Sequence, residues 1–311
     1  MQDALGTART GGTWTRFKAQ PLSNTWLFIR RWPIIPIAIL VLLVLTAAFA
    51  PWIAPHGEQQ SDLRATRAPP SFLNPEWYAE RPNVENRYLF GTDHVGRDIL
   101  SRMIYGARIS LMVATISLAG GIIVGSAVGL AAGYYGGLID EIAMRAVDAW
   151  LALPFLMIAL IVAVTIGQSL TTVMGLLALI AWSGGVRNVR AEVLSLRERD
   201  YVLVARIAGA SSLRIMIRHL VPGVFNTIVV LATLRVGGLI LAEASLSFLG
   251  AGIPLPTPTW GNMVSEGRSF LNDAWWIAFF PGLAIFLVVM SLNFLGDWLR
   301  DRLDPRLRQL N

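Results

Sequence analysis

Three histidines, His56, His94 and His219, are the only imidazoles in the chain, and none lies inside an apolar stretch. A hydrolase working within a membrane therefore lacks a base where its serine would need one. Asp93, His94 and Asp98, in the run GTDHVGRD, could be drawn as metal ligands, but three mixed ligands in a glycine-bearing turn fit a structural turn and helix cap better. Cysteine is absent, which removes disulfides, thiolate metal sites and thiol catalysis. A phosphate-binding loop would read GxxxxGK followed by Ser or Thr; the only lysine, Lys18, precedes Ala19, so nucleotide binding by that route is excluded. Glu243 is the one acidic residue well inside an apolar run, with Asp148 and Asp297 nearer the ends of theirs. An ion-coupled carrier would use such a carboxylate; a hydrogen bond to a neighbouring helix, or closeness to the interface, is the structural alternative. No acid, base and nucleophile converge, and the chain reads as non-catalytic, with no metal site and no cofactor of its own.

The elements that must position these residues are membrane helices. Hydrophobic residues make up 54% of the 311, charged residues only 15%, and the mean hydropathy is +0.55, which is outside the range of soluble domains. The net charge of +6 comes from arginine, and with no soluble domain to carry a basic face it marks membrane topology rather than nucleic-acid binding. About 20 helical residues cross a hydrocarbon core of roughly 30 Å. The pattern predicts an all-α polytopic bundle of six such helices in the lipid bilayer, at roughly Ile34–Ile53, Ile109–Gly133, Val147–Ile166 (kinked at Pro154), Thr172–Val186, Val224–Leu249 and Trp275–Gly296. Arg16, Lys18, Arg30 and Arg31 before the first, and Arg300, Arg302, Arg306 and Arg308 after the last, predict both termini to be cytoplasmic. The first helix reads as a retained signal anchor. The expected organisation is a cytoplasmic tail (1–30), a first span (31–53), an extracytoplasmic segment (54–106), a five-helix core (107–300) and a cytoplasmic tail (301–311). Gly121, Gly125, Gly129 and Gly133 recur every four residues and share one helix face, suited to close packing within the chain or to contact with another membrane subunit.

Between the fourth and fifth predicted spans, residues 187–222 carry Arg187, Arg190, Arg197, Arg199, Arg206, Arg214 and Arg218, as a cytoplasmic loop would. Two helical patterns meet there at Gly209-Ala210-Ser211, where glycine can end one helix in the left-handed conformation and Ser211 can cap the next. Tyr201, Val204, Ala205 and Ala208 fall on one face of the first pattern; Leu213, Met216, Ile217 and Leu220 fall on one face of the second, with Arg214 and Arg218 opposite. Such a pair either rests in the headgroup layer or docks into the groove of a cytoplasmic partner.

The run DYVLVARIAGASSLRIMIRHLVP resembles the signature loop of ABC importer permeases, whose usual form is EAA, three variable residues, then glycine. Further motifs resemble the DppC/OppC-like branch of those permeases: FGTDHVGRDILSRMIYGARISL (90–111), GYYGGLIDEIAMRAVD (133–148), LAEASLSFLGAGIPLPTPTWGNMVSEGR (241–268) and FPGLAIFLVVMSLNFLGDWLRDRLDPR (280–306). The resemblance implies a type I ABC importer membrane domain in a bacterial or archaeal plasma membrane. It implies a second, DppB/OppB-like permease subunit, two cytoplasmic ATPases that bind ATP and magnesium, and an extracytoplasmic solute-binding protein, with peptides as the commonest cargo. It also implies that the loop couples to the ATPases through Asp200, Tyr201, Leu203, Ala205, Arg206, Gly209, Ala210, Ser211, Arg214 and Pro222. Ala205 and Gly209 match the signature; Leu203 stands where the family has glutamate, and Val204 where it has the first alanine. The charged contact then falls to Asp200 or Arg206, or the partner's groove is more apolar. A self-sufficient ion-coupled carrier acting through Glu243 is the alternative reading.

Overall fold

A computed structural model describes residues 33–84 and 86–303. The expected tail at 1–30, with Arg16, Lys18 and Arg30, lies outside the described residues, as do Arg31 and residues 304–311 of the tail expected at 301–311, with Arg306 and Arg308. The described chain is helical, and two isolated bridges stand in place of any sheet. In order it forms α1 (Ile34–Ala48), α2 (Ala50–Ile53), α3 (Pro75–Ala79), α4 (Ile99–Tyr135), α5 (Gly137–Ala152), α6 (Phe155–Thr165), α7 (Leu170–Leu196), α8 (Asp200–Ile207), α9 (Ser212–Ile215), α10 (Val221–Phe248), α11 (Trp260–Gly267) and α12 (Trp276–Leu303).

Among the described residues four helices are long and apolar enough to cross a membrane: α4, α7, the continuous run Ser212–Phe248 that ends in α10, and α12. The pair α5 and α6, bent by 83°, is a fifth when the two are counted as one span. The sixth expected span is shorter than the sequence suggests, because α1 stops after 15 residues. Pro51 is the reason: its ring cannot follow the carbonyl of Ala47, the chain turns out of helix at Phe49, and α2 restarts with proline in its first turn. Pro154 acts more strongly than a kink. Leu153 before it is driven extended, at φ −95° and ψ 134°, so the expected third span is two helices rather than one bent one. The second span also begins earlier than expected, at Ile99, because Asp98 caps it by accepting the Ser101 N–H at 3.0 Å.

The glycine stripe sets the central contact. A methyl group on Gly121 would stand 2.5 Å from the Ala178 carbonyl oxygen, one on Gly129 would stand 2.6 Å from that of Val186, and one on Gly133 would stand 2.8 Å from the Val193 side chain. Residue numbers rise together on the two helices, so α4 and α7 run parallel with backbones in near contact. Parallel neighbours need a return crossing, and the broken pair α5–α6 supplies it. Gly237 faces Val289 and Gly296 faces Leu234, which makes α10 and α12 antiparallel. The chain therefore has two ends. Tyr135, Leu196, Val221 and Leu303 gather at one, and Ile99, Leu170, Phe248 and Trp276 at the other.

At that second end the polar residues 54–98 form a small packed unit. Ala65, Ala68, Tyr78, Val84 and Tyr88 are its core, and the Tyr78 hydroxyl donates to the Pro69 carbonyl at 2.7 Å. Burial pushes the Tyr78 phenol up to about 12, which keeps it a donor. The Trp276 indole N–H donates to the Thr92 carbonyl at 3.1 Å and ties the unit to α12. Beneath lies a buried charge cluster: Arg102 places Nη1 2.7 Å from both Asp93 Oδ2 and Glu266 Oε2, and Arg97 Nε reaches Asp93 Oδ2 at 2.6 Å. Two arginines and two carboxylates balance, which is what lets charge stay buried there.

Two substitutions test this packing in the purified, detergent-solubilised protein. Gly129→Leu is expected to lower the thermal midpoint strongly, since the side chain meets backbone that cannot move aside, whereas Gly175→Leu, in open space, is expected to leave it nearly unchanged. Arg102→Met leaves Asp93 and Glu266 to share Arg97 alone and is expected to cost about 3 kcal/mol in unfolding free energy.

Candidate functional site

The α8–α9 turn is built by local chemistry. Asp200 opens α8 and Arg206 closes it, each at the end of the helix dipole that favours its charge. The Ala210 N–H donates to the Ala205 carbonyl and the Gly209 N–H to that of Arg206, both at 3.1 Å, with Gly209 left-handed at φ 77°. This pairing is the Schellman closure, which needs glycine at that one position. Ser211 then caps α9, its hydroxyl accepting the Arg214 N–H at 3.4 Å. Pro222 lies in the first turn of α10.

The pair is anchored on one side and bare on the other. Val202 is fully buried against Val189 and Val193 of α7 and against Ile215, Met216 and Leu220. Tyr201, Leu203, Val204, Leu213 and Ile217 are exposed, and Ile207 is 87% exposed. The expected faces are thus corrected. Ala205 is half-buried, Tyr201, Val204 and Ala208 point away from the protein, and in the second helix Met216 and Leu220 are buried while Leu213 and Ile217 are not. In the second helix a π-turn runs over Met216–Leu220.

The arginine-rich stretch is also narrower as a loop than 187–222. α7 runs on to Leu196, and from Ser212 the chain is already helical into α10; only residues 197–211 leave the long helices. The helix tolerates its arginines because each has a partner: Arg187 Nη2 donates to Asp148 Oδ1, Arg190 pairs with Asp140, and Arg197 Nη1 donates to the Gly133 carbonyl at 2.9 Å.

The other sequence candidates fall elsewhere. Glu243 is 2% exposed on α10 and accepts the Ser247 hydroxyl at 2.8 Å, its own helix providing the bond. That burial leaves it without the solvent access an ion-coupled group needs. Asp98 serves as the α4 cap, and Asp93 accepts the backbone N–H groups of Val95 and Arg97, both at 2.9 Å. Asp93, His94 and Glu266 have ligand atoms within 4.8 Å of one another, but both carboxylates are already bound by arginine. One residue escaped the sequence reading. Arg235 lies midway along α10, and a single arginine in so apolar a run hardly alters its hydropathy; a search of the spans for cations as well as carboxylates would have found it. With Ser183, Arg187 and Asn188 of α7 it lines a cavity of about 390 Å³ at the α5–α6 break.

Residues 121–309 match the family model described as the binding-protein-dependent transport system inner membrane component, and residues 31–70 match the N-terminal TM domain of oligopeptide transport permease C. The first match alone spans more than half of the chain. The chain belongs to this family of inner-membrane permeases. It is similar to the di/tripeptide transport system permease protein DppC of Pseudomonas aeruginosa, with 40% identity over 86% of each chain. The dipeptide transport system permease protein DppC of Escherichia coli is 41% identical, over 93% of this chain and 94% of that one; its Haemophilus influenzae counterpart is 38% identical, over 93% and 96%. As a permease, the chain is a type I ABC importer membrane domain, and the family's own description gives it a membrane location and a transport role.

Gly209→Val tests the turn. A Cβ there meets no atom within 4 Å, so the main penalty is the left-handed backbone, about 1–2 kcal/mol. Amide exchange across residues 200–210 is expected to quicken about ten-fold while the melting of the permease as a whole stays nearly unchanged.

Proposed function

We propose that this chain is one permease half of an ATP-driven peptide importer, and that α8–α9 is where it receives force from a cytoplasmic ATPase. The observation that carries the coupling role is the bare apolar face described above. Tyr201, Val204, Ile207, Leu213 and Ile217 project from a short helix pair whose opposite side is locked into α7 by Val202. An apolar helical face of this kind fits a groove, and a rigid attachment lets its displacement pass to α7 and α10. The charge departure at Leu203 agrees with an apolar seat. Asp200 and Arg206 flank that face as exposed charges available to the groove's rim.

Orientation follows from the two ends. Arg197, Arg199, Arg206, Arg214 and Arg218 share the end at which α12 carries Arg300 and Arg302, and basic residues favour the cytoplasmic side. The packed unit at 54–98 then faces outward, towards the solute-binding protein, and both termini lie inside. A second permease completes the pathway. The partner ATPases bind ATP and magnesium and hydrolyse the nucleotide, and this chain contributes no catalytic group. Peptide cargo rests on the names of the relatives, which cover nearly the whole chain.

The test uses the chain expressed with its neighbouring permease, ATPases and binding protein. Ile207→Glu alters a side chain that is 87% exposed, so its level in the membrane is expected to stay at wild type. ATPase co-purification and uptake of a radiolabelled dipeptide are expected to fall at least ten-fold. Unchanged co-purification and uptake would sink the coupling role, and dipeptide uptake by the purified chain alone would restore the carrier reading.

A further inference from the structure

Arg235 stands midway along a membrane-crossing helix, exposed in this single chain, with no carboxylate within ion-pair distance among the described residues, whereas Arg102, Arg187 and Arg190 each have an acidic partner. An unpaired guanidinium at that depth is costly unless it meets water or an anion. The packing makes room for it. Gly184 of α7 lacks the side chain that would collide with Arg235, since a methyl group there would lie 2.5 Å from Nη2. The guanidinium thus occupies a notch in α7 and borders the 390 Å³ cavity.

The walls of that cavity carry a consistent electrostatic sign. Arg187 is the second cation on the wall, and its charge is taken up by Asp148, leaving Arg235 uncompensated. Opposite, the wall is the break between α5 and α6. α6 begins there at Phe155 with no side-chain cap, so the positive end of its dipole opens beside the same space. Ser183 and Asn188 supply polar edges, while Trp150 and Leu151 supply an apolar side. The volume lies within the roughly 300–1,000 Å³ of small-ligand sites.

We propose that this cavity is a transit site for the peptide, in which Arg235 receives the carboxylate at the peptide's carboxyl terminus. This rests on the peptide-importer reading. Guanidinium and carboxylate match in planar, two-pronged geometry, and a fixed cation at the α5–α6 break gives a zwitterionic chain a reason to enter a largely apolar passage. An acidic side chain of the second permease is the competing partner for the same guanidinium.

The complete transporter in proteoliposomes decides between them, with radiolabelled alanyl-alanine as the probe and a benzophenone amino acid replacing Leu151 as the cross-linker. In an Arg235 background, label is expected to attach to this chain during turnover. Arg235→Gln is expected to lose that label and at least ten-fold of the uptake, with the second permease still co-purifying; Arg235→Lys, which keeps the charge, is expected to retain more of both. Cross-linking that persists in Arg235→Gln overturns the site. Loss of the second permease from the purified Arg235→Gln assembly also overturns it, and assigns Arg235 to the subunit interface. If the wild-type assembly carries no peptide at all, the cargo reading fails, and this inference fails with it.

Discussion

The close approach of α4 and α7 is the constraint on which the rest depends. Two parallel helices can lie backbone to backbone only where one of them has no side chains, and the stripe from Gly121 to Gly133 provides four such positions in succession. In lipid there is little hydrophobic drive between helices, so van der Waals contact along this seam does the holding. Everything functional is mounted on it. The charge cluster of Asp93, Arg97, Arg102 and Glu266 sits at the start of α4, the α8 anchor uses Val189 and Val193 near the end of α7, and the notch for Arg235 is cut in α7 between them.

A parallel pair also dictates what joins it. The chain must return between Tyr135 and Leu170, and it does so as two helices that meet at Leu153-Pro154 rather than as one. Broken helices leave backbone groups unpaired at mid-depth, which is tolerable only where they border protein or a polar cavity. Here the break borders the cavity that Arg235 lines, so the structural cost of the return crossing and the polarity of the passage arise at the same place.

The far end of the molecule works differently. α8 and α9 are too short to be stable alone, and they hold their shape because Val202, Ile215 and Leu220 are packed into α7. That leaves Tyr201, Val204, Ile207 and Leu213 exposed among the described residues. The arrangement transmits displacement well: the turn is closed by hydrogen bonds at Gly209, and α9 runs through the π-turn into α10 without a joint.

Sequence alone determined the helical class, the arginine-rich end, the turn at Gly209-Ala210-Ser211 and the glycine face of α4. Each of these rests on residues near one another in the chain, through hydropathy, capping chemistry and helical spacing. The motifs from Phe90 to Arg306 were enough to place the chain among importer permeases. Tertiary structure decided the rest. The partner of the glycine stripe is α7, some sixty residues away, and no local pattern names it. The outward faces of α8 and α9 depended on the packing of Val202 and Ile215 against α7, which spacing rules do not name. Glu243 drew attention because a carboxylate in an apolar run is conspicuous, yet packing sealed it; Arg235 passed unnoticed, yet packing opened a cavity beside it. Whether a charge in an apolar run is closed off or given access depends on what faces it from other helices, and that is fixed only when the helices are assembled.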